Sequence, residues 1–352
     1  PLGGPSKKDV KLPLQPPSKA PGLNAPTPYP GLRPPPGAKA DRSGTFAAPY
    51  PPAPLKTQKR QKRLLNRGLK TSGEPIRILT YNVYWKALMK PSQIEECSME
   101  RCFNNIINVI KGQADDGVDF IALQEVVGSK ALKFPNMTRI AHKIGAETLA
   151  VFYNTEKYRM LAYGAENTST KGSRPMQVLI FNDGIILINV HAGHYHTKID
   201  AMNKDMNDAL EKILDSQSVQ SRVEDIQKVF SKSRIIMAGD FNDDIKNLQN
   251  PFELKYKDVS RKLYLNQKKL DTCCNTNYLL NATRATHVDH VLDTFGAPTE
   301  IEAVTHVFPA SDHAPVLAKL RTEPSEKNAD SAAELEEEKA ETKGILKNKD
   351  EK

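Results

Sequence analysis

Ile235-Ile236-Met237-Ala238-Gly239-Asp240-Phe241-Asn242 begins as an apolar run and ends in two side chains suited to phosphate chemistry. Four apolar residues before a glycine predict a buried strand, and Gly239 allows another backbone to come close. Asp240 and Asn242, two residues apart, project to the same side. A carboxylate placed there can take a proton from an attacking water, while the amide donates to a phosphate oxygen. Asp243 and Asp244 follow, so part of this acidity also fits an ordinary loop.

The same form, an apolar run ending in a polar residue, recurs along the chain. It appears in Leu79-Thr80-Tyr81-Asn82, Ile121-Ala122-Leu123-Gln124-Glu125 and Ile188-Asn189-Val190-His191. Ala310-Ser311-Asp312-His313-Ala314-Pro315-Val316 delivers Asp312 and His313 beside a further strand. Packing alone does not ask for this, and the pattern predicts one metal-assisted, phosphate-cleaving site at one rim of a sheet core. Glu125 emerges where a buried strand surfaces, and a carboxylate there can hold Mg²⁺, which takes oxygen ligands. Asp289 interrupts the strand-like His287-Val288-Asp289-His290-Val291-Leu292. A buried Asp needs a partner, and His313 is the natural candidate. An imidazole so oriented and kept protonated can stabilise negative charge on a phosphate.

Charge divides the chain into three parts. Residues 1–74 carry 14 Lys/Arg against 3 Asp/Glu, residues 75–321 carry 30 against 29, and residues 322–352 carry 6 against 10. The total of +8 therefore belongs to the N-terminal arm rather than to a basic catalytic surface. Residues 1–54 hold 16 of the 25 prolines, which predicts an extended, disordered segment able to dock on a protein partner through polyproline geometry. Lys59, Arg60, Lys62, Arg63 and Arg67 follow in a basic cluster suited to nucleic acid, a nuclear-import address or anionic lipid; a plain solvated linker fits as well. From residue 322 a Glu/Lys/Ala-rich tail is expected to be solvated. Cys97, Cys102, Cys273 and Cys274 match no zinc spacing, so reduced thiols and an intracellular setting of unspecified compartment are expected. No run of about 18 apolar residues occurs, which predicts no transmembrane span. Nor does a charged-then-apolar leader open the chain, so no secretory signal is expected.

Between residues 75 and 321 the motifs, taken in order, resemble the endonuclease/exonuclease/phosphatase superfamily. The resemblance implies an α+β fold, a four-layer sandwich of two face-to-face mixed, mainly antiparallel sheets with helices outside. It also implies a phosphoesterase dependent on Mg²⁺ or Mn²⁺. Asn82 and Glu125 then resemble the first-strand Asn and the metal-binding Glu, and His191 the phosphate-contacting histidine. Asp240 and Asn242 resemble the water-activating Asp and its neighbour, and Asp289 the histidine-orienting carboxylate. Asp312 and His313 resemble the metal-side Asp and catalytic His.

Several nucleases of the family carry Asp two residues after the first Asn, where this chain has Tyr84. Arg174 is a candidate contact for an anionic substrate, and His194 and His196 are richer in imidazole than the family requires. Nucleic acid is the expected substrate, favoured by the basic arm. A phosphoinositide or other small phosphoester, or a scaffold role in an assembly such as a virion, are the alternatives.

Overall fold

The computed structural model describes residues 74–84, 99–126, 132–168, 174–195, 199–273, 286–304 and 311–325, without the side chains of 99–102 and 245. These residues belong to one compact unit, Pro54–Lys352. The proline-rich arm, the cluster of Lys59, Arg60, Lys62, Arg63 and Arg67, His196 and most of the acidic tail lie outside the described residues.

In chain order the elements begin with β1 (Arg77–Asn82), α1 (Met99–Asp115), β2 (Phe120–Gln124), β3 (Met137–Ile144), β4 (Glu147–Asn154) and β5 (Met160–Asn167). They continue with β6 (Pro175–Phe181), β7 (Ile185–His191), α2 (Ile199–Leu214), α3 (Gln217–Gln220), α4 (Ile226–Lys232) and β8 (Arg234–Asp240). The last are β9 (Phe252–Tyr256), β10 (Val259–Leu265), β11 (Asp289–Asp293), β12 (Glu300–Ala303) and β13 (Val316–Lys319).

The strands form one sheet in the order β12-β13-β1-β2-β4-β3 and another in the order β5-β6-β7-β8-β11-β10-β9. Among the described strands only β1 with β2 and β7 with β8 run parallel. Ile106 and Ile110 of α1 cover Leu79, Tyr81, Ile121 and Leu123 on the outer face of the first sheet. Met202, Met206, Leu210 and Ile213 of α2, with Phe230 of α4, cover the second. Between the sheets Ile78, Phe120, Val151, Leu187, Ile236 and Val291 interdigitate. The expected α+β sandwich of mixed, mainly antiparallel sheets is therefore the observed fold, with the layers helix, sheet, sheet, helix.

Central strands match their apolar runs closely: β8 and β7 span the predicted segments and are buried throughout. The predicted helical stretch 201–231 is instead divided into α2, α3 and α4, with breaks around Asp215 and the 221–225 turn. Sequence reading missed β3, β5, β9 and β10. Of these β3, β5 and β9 are sheet edges, and half-exposed β3 and β10 carry polar residues that blur the apolar alternation.

Topology explains why polar residues gather at one rim. The C-terminal ends of the parallel pairs β1/β2 and β7/β8 point the same way, and antiparallel β11 begins where β8 ends. Asp240 is thus in register with both His191 and Asp289. Gly239 makes this closeness possible: a Cβ there would lie 1.9 Å from the carbonyl oxygen of Val190, and its φ is +153°.

Candidate active site

At the rim, the carboxylate of Asp240 is the hub. Its Oδ2 accepts from Asn82 Nδ2 at 2.9 Å and lies 3.5 Å from His191 Nε2 and 3.7 Å from His313 Nε2. Its Oδ1 accepts from the backbone N–H of Asn242 at 2.8 Å. Burial opposes charge on Asp240, but His313, His191, Asn82 and the Asn242 amide outweigh it and lower its pKa. Asp240 therefore stays ionised, as a proton acceptor must.

Each imidazole has its own carboxylate behind it. His313 Nδ1 lies 2.8 Å from Asp289 Oδ2, which leaves Nε2 facing Asp240. Burial works against a charge on His313, yet Asp289, Asp240 and Asp312 prevail and raise its pKa to about 10. His191 Nδ1 is hydrogen-bonded to Glu147 Oε1, and Arg174 donates from its NH1 group to Nε2 at 2.9 Å. Burial and Arg174 resist protonation of His191, while Glu147 and Asp240 favour it, with a net upward shift. The Glu147 carboxyl is raised, first by burial and further by Glu125, against the pull of His191 and Arg174.

Glu125 stands just beyond β2, with Oε1 3.3 Å from Asn82 Nδ2 and 3.8 Å from His191 Nε2. Asn82 thus bridges Glu125 and Asp240, presenting nitrogen to both; its Oδ1 accepts from the backbone of Tyr84 at 3.0 Å. Asp312 follows Ser311, whose hydroxyl donates to the Asn82 carbonyl at 2.7 Å and so ties the two segments together. Burial, then the charges of Asp312 and Glu125, raise the phenol pKa of Tyr84. Tyr84, Glu125 and Asn242 all have positive φ, at 51°, 54° and 50°. Such backbone costs on the order of 1 kcal/mol or more each for non-glycine residues and turns side chains out of the strand path into the site.

The donor set suits a hard divalent cation. Glu125, Glu147, Asp240, Asp289 and Asp312 offer five carboxylates against three groups that carry positive charge, His191, His313 and Arg174. Fully charged, they leave a deficit that a divalent cation balances, and the outermost donors are oxygens. Asp240, Asp289 and His313 also place ligand atoms within 4.8 Å of one another. His313 Nδ1 is already engaged with Asp289, however, so that trio reads as an oriented imidazole rather than a Mg²⁺ cage.

Every sequence-derived site residue among the described residues, from Asn82 to His313, reaches this rim, and Arg174 joins them. His194 is exposed. Asn242 Nδ2 donates to the Ala192 carbonyl at 2.9 Å, which commits one of its two hydrogens. Sequence reading missed Glu147, which opens an antiparallel strand and carries no motif. One expectation needs correction. Cys273 is not a reduced thiol but disulfide-bonded. Its sulfur lies 3.3 Å from His313 Nε2. The prediction failed because the spacing of the four cysteines carries no pairing motif.

No family model matches the sequence. The uncharacterized protein L684 of Acanthamoeba polyphaga mimivirus is 30% identical over 269 residues, 69% of this chain and 50% of its own. The chain thus spans about half the length of that curated relative. Among solved structures, a D. rerio TDP2 humanized by 14 mutations is similar over 70% of this chain and 98% of its own, with TM-score 0.47 and 12% identity. ANGEL2, a 2′,3′-cyclic phosphatase, is similar over 70% of this chain and 95% of its own, with TM-score 0.44 and 16% identity. No helix among the described residues is long and apolar enough to cross a membrane.

Proposed function

We propose that this chain is a divalent-metal-dependent phosphoesterase that hydrolyses phosphodiester bonds in nucleic acid. The observation that carries the reading is Asp240 Oδ2, held by Asn82 and faced by two imidazoles, each backed by a carboxylate on Nδ1. A lone structural Asp has no use for such surroundings. They suit a base that must stay ionised next to groups that bind a phosphoryl oxygen.

Glu125 and Asp312 would hold Mg²⁺ or Mn²⁺, with Asn82 steering the Glu125 carboxylate. The bound cation would supply Lewis acidity at a phosphate oxygen and stabilise the leaving oxygen. Asp240 orients a water and takes its proton, with its own direction set by Asn82 and the Asn242 amide. Imidazolium His313, held by Asp289, donates from Nε2 to a nonbridging oxygen as charge builds there. From the other side Arg174, oriented by its hydrogen bond to His191 Nε2, donates to the phosphate, and the remaining Asn242 N–H group stands ready to position it. The basic arm, including Lys59, Arg60, Lys62, Arg63 and Arg67, would concentrate the enzyme on polyanions through counterion release.

To test this, the purified protein is incubated with Mg²⁺ or Mn²⁺ and single-stranded DNA, duplex DNA, RNA or phosphoinositide vesicles. Cleavage of a nucleic acid, lowered on the order of 10²-fold or more by Asp240→Ala and by His313→Ala, is expected. Phosphate release from lipid alone would move the substrate to phosphoinositides. Inactivity on all four would favour the scaffold reading, as would variants that match the wild type.

A further inference from the structure

Beneath the catalytic side chains lies a second polar layer. Successive inward residues read Ile78, Thr80, Asn82 on β1 and Phe120, Ala122, Gln124 on β2, with the lower members in the inter-sheet core. On β7 they read Leu187, Asn189, His191. Thr80 and Asn189 are therefore one step below the rim, Gln124 is in register with Asn82 and reaches down to both, and all three are fully buried.

Their hydrogen bonds run between the sheets. Asn189 Nδ2, from the second sheet, donates to the carbonyls of Leu123 at 3.1 Å and Ala150 at 3.3 Å in the first. Those acceptors fix the amide's orientation, so its Oδ1 must accept. It does, from Gln124 Nε2 at 2.7 Å, and Gln124 Nε2 also reaches Thr80 Oγ1 at 3.1 Å. One amide pair thus joins β1, β2 and β4 to β7. Away from it the sheets meet mostly through apolar side chains, whose attraction is non-directional and tolerates sliding. Polar ties elsewhere, such as Gln177 Nε2 to the Ile140 carbonyl at 3.2 Å and Arg234 to the Arg321 carbonyl at 2.8 Å, touch none of the strand ends that carry Asn82, Glu125 or His191. Gln124 Oε1, moreover, has no hydrogen-bond partner among the described residues. An unsatisfied buried oxygen is destabilising, and an apolar side chain of similar shape would avoid that cost. Retaining the amide there makes sense if its gain is position.

We infer that the Gln124–Asn189 pair is a positioning clamp that sets the offset between the two sheets at the rim. It rests on the phosphoesterase reading above. Glu125 follows Gln124 directly and His191 is two residues beyond Asn189. Asn82 follows Thr80 by the same two residues. The clamp therefore governs how the metal-side carboxylate and Asn82 of one sheet meet the Asp240 and His191 of the other. It touches no substrate and acts through those four residues.

The test uses the full chain with Gln124→Met, Asn189→Leu, both together, and Thr80→Val as the mildest variant. Turnover of the cleaved substrate, denaturant unfolding and imidazole NMR of the metal-free protein are measured on each. The expected result is a kcat loss of roughly 10- to 100-fold at nearly unchanged KM in the single amide variants. The double variant should be no worse than the poorer single one, because both break one clamp. The His191 Nδ1–H signal should shift or broaden in every variant that folds, Thr80→Val included with the smallest change. Wild-type kcat with an unmoved His191 signal, or kcat falling only with the folded fraction, overturns the clamp. If the wild type cleaves nothing, the functional reading fails by itself, and the His191 signal still decides the clamp.

Discussion

His313 and His191 face the same aspartate from opposite sides, yet their surroundings differ in one charge. Both have a carboxylate on Nδ1 and both aim Nε2 at Asp240. His313 has three carboxylates around it, and its pKa is raised to about 10, so it is a fixed imidazolium at neutral pH. His191 has Arg174 2.9 Å from Nε2, a contact that suits an unprotonated nitrogen. The guanidinium and the carboxylates therefore compete over the His191 proton. One histidine supplies permanent charge, while the other shares that task with an arginine that remains a quarter exposed and open to substrate.

The largest expected effect separates the two. His313→Gln should lower kcat by on the order of 10²- to 10³-fold. His191→Gln should cost roughly 10-fold, because Arg174 remains to meet the phosphate. Equal losses in steady-state assays would erase the distinction. Asp289→Asn should next bring the His313 titration down from about 10, and NMR would follow the imidazole directly. The activity that depends on imidazolium should then fade at lower pH than in the wild type, since the proton leaves earlier. Arg174→Met should act in reverse on the other side, raising the His191 pKa and increasing KM for an anionic substrate several-fold.

A second pair of histidines marks the opposite limit. His287 and His290 lie with ring centroids 4.5 Å apart, and among the described residues no carboxylate is hydrogen-bonded to either ring. Burial chiefly lowers their pKa values, to about 4 and about 3, with smaller opposing contributions from Asp244 at His287 and the Asp243 backbone at His290. Both are neutral in the folded chain, whereas the unfolded chain binds protons below about pH 6.5. Stability is then intact above that pH and falls as pH drops toward 4, by at most about 1.4 kcal/mol per unit for each histidine. Denaturant unfolding at pH 7 and pH 5 measures this, and His290→Phe should flatten the slope.

How far the sequence carried differs between these three sites. Asp289 was legible because a carboxylate inside an apolar strand cannot be left alone, and His313 was the fitting cation. Glu147 was not legible: it stands 44 residues from His191, beyond a Gly145-Ala146 turn, without any pattern. Antiparallel pairing of β4 on β2 is what lifts Glu147 to the same rim as Glu125. The same contrast applies to the strands. Apolar runs revealed β7 and β8, which are buried on both faces, whereas β3, β5 and β9 owe their form to one neighbouring strand each.

The amino-acid order by itself determined the central strands, the polar residue that ends each of them, and the class of chemistry those residues favour. It could do so because burial and alternation are local properties of a segment. Tertiary structure alone decided that Glu147 and Arg174 would set the charge of His191. It also decided that Cys273 would lie against His313, and that the Gln124–Asn189 pair would join the sheets beneath the rim. These depend on distances between strands remote in sequence, and such distances follow only from register and sheet-on-sheet packing.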